Sequence, residues 1–155
     1  MVNIEDVPQA EMEALLRRVG FGHLGCVDAR GRPYVVPMHF AFDGESIYLF
    51  TTEGMKTEGM NEHPEVCLQV EEVEDATRWQ SVMVFGRAER LARAEDVERA
   101  MQHITRANPT LTPALNRTQI DSWGRASNVV VYRIRPDAMD GRRTVASAGA
   151  GEGGE

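Results

Sequence analysis

The residues best equipped for chemistry stand in one short run, Thr51-Thr52-Glu53-Gly54-Met55-Lys56. Two hydroxyls, a glycine and a lysine five residues beyond Thr51 are the parts needed to hold a phosphate. Hydroxyls and free backbone N–H groups donate hydrogen bonds, and the ammonium supplies charge. A short helix starting here would also aim its N-terminus at an anion. The same types suit a polar hairpin loop with a solvated lysine, and composition leaves both readings open. The spacing is not that of a P-loop, which argues against a nucleoside triphosphatase.

Other reactive types are scattered. His23, His39, His63 and His103 show neither HExxH nor HxH spacing, so no metal site is expected. His39 follows Met38 in an apolar run and is either a satisfied core residue or a ligand contact. Glu71, Glu72, Glu74 and Asp75 read as a solvated strand end. No Gly-x-Ser-x-Gly elbow and no Cys/His couple supports hydrolase chemistry. Trp79 and Trp123 lie at loop edges, where either ring could cover a planar ligand or pack at a domain or subunit surface. Cys26 and Cys67 sit inside apolar runs without a CxxC partner and are expected to be buried thiols.

Composition narrows the partners. The 155 residues fit one domain, with 42% hydrophobic and 26% charged content, both ordinary for a globular chain. A net charge of -7, with Lys56 the sole lysine, offers no basic stripe for nucleic acid. No apolar run approaches the roughly 20 residues of a membrane span. The N-terminus is acidic and amphipathic rather than signal-like, so a cytoplasmic location is expected.

Periodicity supplies the scaffold. Met12, Leu15, Leu16 and Val19 share one face of a helix over about 8–19, with Pro8 and Gly20 at its ends. Strands follow over Phe21–Asp28, Tyr34–Phe42 and Ile47–Thr52, separated by turns at 29–32 and at Asp43-Gly44. The second of these is apolar throughout and is expected to be buried on both faces. Residues 53–63 read as a loop with a short helix, and Pro64 ends it. Alternation returns at 66–70 and at 81–91, a helix spans about 94–105, and Asn108-Pro109 stops it. Residues 110–127 suggest a short helix and a loop carrying Trp123, and 128–135 a last strand. The tail from Thr144 to Glu155 has almost nothing apolar and is expected to be disordered, leaving 1–143 as the single domain. Six strands with two or three helices predict a mainly β fold, a small antiparallel barrel with helical caps.

Three stretches, GFGHLGCVDARGRPYVVPMHF, SIYLFTTEGMKTEGMNEHPEVCLQV and WQSVMVFGRAERL, together resemble the pyridoxamine 5′-phosphate oxidase-related, FMN-binding split-barrel family, especially its small nitroimidazole-reductase-like members. The likeness covers about residues 20–92, with a weaker echo in VVVYRIRPDAMDGRR. It implies a six-stranded antiparallel split barrel with peripheral helices. It also implies that Val36, Pro37, Met38 and His39 run along the flavin and bond its polar edge through the backbone. Thr51 and Lys56 would hold the FMN phosphate with Thr52 and Met55 nearby. Gln80 and Ser81 would complete the phosphate and ribityl site. Trp123, one of the two rings able to cover a planar ligand, is counted with the expected cofactor contacts. Two departures set this chain apart from true pyridoxamine-phosphate oxidases. Strand Tyr34–Phe42 has no lysine or arginine, and the C-terminal Arg-and-His substrate motif is replaced by GRRTVASAGAGEGGE. The expected function is an FMN-dependent oxidoreductase of an unknown small molecule. The alternatives are a haem or deazaflavin binder, in which His39 or His63 would matter more, and a non-catalytic flavin module. A barrel this small fills its interior with side chains, so the flavin must lie outside the sheet. A homodimer with flavin sites at the interface would then cover both the ligand and the apolar strand.

Overall fold

The computed structural model describes residues 1–109 and 129–146. In chain order the elements are β1 (Val2–Asp6), α1 (Gln9–Arg18), β2 (Phe21–Val27), β3 (Pro33–Phe42), β4 (Ile47–Thr52), α2 (Met55–Glu62), β5 (Glu65–Asp75), β6 (Arg78–Arg90), α3 (Ala94–Ala107) and β7 (Val129–Ala146). All pairings are antiparallel. Successive neighbours run β1-β7-β4-β3-β2-β5-β6, and β6 also pairs with β7. Six strands, β2 to β7, therefore close a ring, and these are the six that alternation and turn residues delimit in the sequence. A seventh strand, β1, lies outside the ring on the far end of β7, Val2 opposite Ala146 and Asp6 opposite Arg142.

Alternation decides what fills the ring. Leu24, Met38, Phe40, Leu49, Val66, Leu68, Val70, Val82, Val84, Tyr132 and Ile134 face inward, with Leu15, Leu16 and Met12 of α1 closing one end. A second cluster lies outside the sheet, where Ala100 and Ile104 of α3 pack on Ala41, Tyr48 and Val131. Helix α3 thus covers the outer face of β3, β4 and β7. The outer face of β2, β5 and β6 has no such cover among the described residues. No helix of the described residues is long and apolar enough to cross a membrane.

The expected six-stranded barrel is present, and β1, too short and polar to be read from alternation, adds a seventh strand to its sheet. Two expectations are corrected. The folded part does not stop at Arg143: Thr144, Val145 and Ala146 pair with Ile4, Asn3 and Val2, while 147–155 lie outside the described residues. Strand β3 is not buried on both faces within one chain. Its Phe40–Phe42 end is buried, but Pro33, Val35 and Pro37 are exposed, Val35 at 66%. Both cysteines are free thiols, Cys26 buried and Cys67 partly so.

Candidate functional site

Strand β4 ends at Thr52, and the chain turns through Glu53-Gly54 into α2. Thr57, fully buried, builds this turn. Its Oγ1 accepts from the Gly54 N–H at 2.8 Å, and its hydroxyl reaches the Gly54 carbonyl at 2.9 Å and Glu53 at 3.1 Å. Glu58 N–H returns to the Gly54 carbonyl, so the amides of Met55, Lys56 and Thr57 form the first turn without intrahelical partners. Helix α2 is pinned against the end of β2 at Gly59, where a Cβ would stand 2.2 Å from the Val27 carbonyl. Thr51 is buried beside this turn, and among the described residues its hydroxyl makes only a 3.4 Å contact with the Thr52 carbonyl. Thr52 and Met55 are exposed, Lys56 is half-buried, and its ammonium joins no ion pair among the described residues. The nearby Glu53 carboxylate is engaged by Arg90 at 2.6 Å. The result is a cradle of three amides, a spare hydroxyl and an uncommitted cation.

Strand β3 leads to that cradle with one edge open. It pairs with β2 along Pro33–His39 but with β4 only over Phe40–Phe42, so β3 and β4 splay apart below Phe40. The Phe40 N–H donates to the Gly20 carbonyl at 2.9 Å. Bonding direction alternates along a strand, so Val36 and Met38 also spend their backbone groups on β2. Val35, Pro37 and His39 turn theirs to the open edge. This revises the expected contacts: of the four residues, Pro37 and His39 can offer backbone groups, and Val35, which the sequence reading passed over, can join them. The side chains of Val36 and Met38 point into the barrel, Met38 at 6% exposure.

Gln80 and Ser81 are elsewhere. Thr51 pairs with Val130 of β7 and Ser81 with Arg142, twelve residues further along. That is a contour of about 40 Å at the usual strand rise. The two residues also face opposite ways. Gln80 donates to Glu72 at 3.0 Å, which Arg18 of α1 holds in a two-pronged contact at 3.0 and 3.1 Å. Ser81 lies on the outer face, where Gln69 donates to it at 3.1 Å. A hollow of about 560 Å³ is at this end, lined by Trp79, Gln80, Glu72, Arg78 and Arg143. One chain therefore does not bring the two halves of the expected site together. Trp123 lies outside the described residues.

Between the halves the outer face is apolar. Phe21, Val35 and Phe85 are 45%, 66% and 40% exposed, and a hollow of about 460 Å³ is lined by Gly25, Val35, Cys67 and Phe85. On the inner side, burial pushes the Tyr34 phenol well above its ordinary range, assisted by the neighbouring Cys26 thiol, and pushes Cys26 up as well. Among the described residues the buried Tyr34 hydroxyl has no hydrogen bond of good geometry. Neither Tyr34 nor Asn108, which contacts His39, carried a motif that could have singled it out.

A family model described as pyridoxamine 5′-phosphate oxidase matches residues 8–143. Among solved structures, a FAD-binding protein from Mesorhizobium loti superposes with a TM-score of 0.77 at 26% identity, covering 94% of this chain and all of that one (100%). A candidate 5-nitroimidazole antibiotic resistance protein from Bacteroides thetaiotaomicron gives 0.75 at 24% identity, over 93% and 89% of the two chains. The FAD-binding protein from Mycobacterium smegmatis gives 0.65 at 19%, over 90% and 97%. An uncharacterised protein of Rhizobium meliloti is 38% identical over 60 residues, spanning 39% of this chain and 40% of that relative's length. With a family match over most of its length and a ring of six antiparallel strands splayed between β3 and β4, the chain belongs to the pyridoxamine 5′-phosphate oxidase-related, FMN-binding split-barrel family.

Proposed function

We propose that the protein binds FMN and acts as an FMN-dependent oxidoreductase on a small molecule. The observation that carries this is the junction of the one-sided β3 edge with the Lys56 cradle. An anion held by the amides of Met55, Lys56 and Thr57, the Thr51 hydroxyl and the Lys56 ammonium would leave an attached planar ring along Val35, Pro37 and His39. The residues fit a flavin mononucleotide: one phosphate, a polar ring edge and an apolar face each meet matching chemistry. The two solved relatives named as FAD-binding support a flavin, and a single cradle for one phosphate favours FMN. Bound flavin supplies hydride transfer at its N5 atom. The chain's own residues bind the phosphate, orient the ring and exclude water, and none of them acts as a nucleophile.

The site is completed in a homodimer. Gln80, Ser81 and Trp79 stand at the far end of the barrel from Lys56, and the apolar outer face between them is open in one chain. A two-fold partner laid on that face would bring its own far end to each cradle, making two equivalent sites. Exposed phenylalanine and valine on one contiguous face are the expected mark of such an interface.

The test is reconstitution with FMN followed by fluorescence titration. Wild-type protein is expected to take up flavin and show its visible bands. Lys56→Ala is expected to weaken FMN by about 1.5–3 kcal/mol, the worth of a hydrogen bond to a charged group. Unchanged affinity would remove the phosphate from this cradle.

A further inference from the structure

His39 is held in one tautomer by a neighbour that cannot adapt. Asn108, the C-cap of α3, is 7% exposed. Its Nδ2 lies 3.0 Å from the Phe40 carbonyl and 3.1 Å from the Ile104 carbonyl. Carbonyls only accept, so both contacts require amide hydrogens, and the orientation of the amide follows from its partners. Its Oδ1 is packed against Gly20, where a Cβ would come within 2.3 Å. That same Oδ1 faces Nδ1 of His39 at 3.3 Å. An amide oxygen cannot donate, so the ring proton sits on Nδ1, and in the neutral ring Nε2 carries a lone pair. Phe21, edge-on at 5.1 Å and 64°, holds the plane of the imidazole. Nε2 has no hydrogen-bond partner among the described residues, and His39 stands where the open edge of β3 begins.

We infer that the Asn108–His39 couple presents a fixed acceptor to the ligand, and that Nε2 takes a hydrogen bond from N3–H of the flavin ring, the one N–H of the oxidised isoalloxazine. This rests on the flavin reading above. It makes His39 a selector for ligands with a donor at that edge, since one without it leaves the half-buried lone pair unmatched.

The experiment uses the full chain with ¹⁵N-labelled histidine and two probes, FMN and N3-methyl-FMN. Nitrogen spectra of the free protein are expected to show His39 protonated at Nδ1, with Nε2 unprotonated and shifting when FMN is added. FMN is expected to bind roughly three- to tenfold more tightly than N3-methyl-FMN, the worth of one neutral hydrogen bond. His39→Leu should erase that difference, and His39→Gln, whose amide oxygen can replace Nε2 as acceptor, should restore it. Thermal melts of both variants establish that they fold. The opposite tautomer, or a methyl penalty that survives in His39→Leu, overturns the role of His39. Equal affinity of wild-type protein for both probes overturns it too, and each of these results leaves flavin binding standing. Failure of wild-type protein to bind either probe overturns the flavin reading and this inference together.

Discussion

Single side chains in this protein hold its turns. Asp28 is buried at the β2–β3 turn, its Oδ1 accepting from the Arg30 and Arg32 amides at 2.9 Å each and its Oδ2 from Arg32 Nε at 3.0 Å. These bonds, the Arg32 amide first, hold its carboxyl below the ordinary value of 3.8. A carboxyl depressed on folding stabilises the fold above its unfolded pKa, and that contribution is lost as pH falls through the folded one. Urea midpoints of the wild type are therefore expected to drop on acidification below about pH 4. Asp28→Asn should start lower at neutrality and show a flatter acid limb. Thr57 is the corresponding case at the cradle. Thr57→Val keeps the volume but strands the Gly54 N–H, and should cost about 1–3 kcal/mol in chemical denaturation. An unchanged midpoint would mean that water replaces the hydroxyl.

At the scale of elements, the informative piece is the long strand β7, which touches β4, β6 and β1 in turn. Its register shifts opposite Phe85 and Gly86, a bulge that bends the strand so that one element can serve both ends of the barrel. The last three paired residues include Thr144, whose hydroxyl accepts from the Trp79 N–H at 3.0 Å. Truncation after Arg143 removes that bond and three of the five β1 pairs, so the melting temperature should fall by roughly 2–4 °C for each kcal/mol lost. Truncation after Ala146 should leave it unchanged, because Ser147–Glu155 has almost no apolar area to offset ordering entropy. Equal melting of the two truncations would show that the Val2–Ile4 pairs contribute nothing.

For the whole molecule, oligomeric state and ligand binding are expected to move together. Phe85 projects from the open face of β6, away from the Lys56 cradle, so Phe85→Glu places a charge in the proposed interface without touching the phosphate site. Sedimentation should show monomer, and flavin fluorescence should show lost affinity at the same concentration. A Phe85→Glu monomer that keeps full FMN affinity would contradict a site shared between subunits. Arg142 is paired with Asp6 and Asp140, and Arg143 with Glu5 and Glu11, so the two C-terminal arginines are committed to β1, α1 and β7 itself. Pyridoxamine 5′-phosphate should accordingly not be oxidised at a useful rate. Robust formation of pyridoxal phosphate with oxygen would show that these pairs open.

What the chain determines by itself is local. Alternation in Phe21–Val27, Glu65–Val70 and Ser81–Arg90, helical spacing in Met12–Val19 and the Asp43-Gly44 turn each specify an element through neighbours a few residues away, and all are found in place. Thr51 and Lys56 are legible for the same reason, since a strand end, a glycine and a helix start lie within one short run. Tertiary structure decides whatever depends on partners distant in sequence. Strand β1 exists because β7, some 140 residues later, supplies its bonds. The choice of Val35 over Val36 and Met38 at the open edge depends on which residues β2 has already engaged. The family resemblance groups Gln80 and Ser81 with the cradle, yet ring closure carries them to the opposite end of the barrel. Asn108 reaches His39 only because α3 folds back over β3, and no periodicity of either segment records that contact. Side-chain type and spacing encode the elements and the run from Thr51 to Lys56, whereas strand order, ring closure and helix docking determine which residues stand close enough to share the proposed ligand.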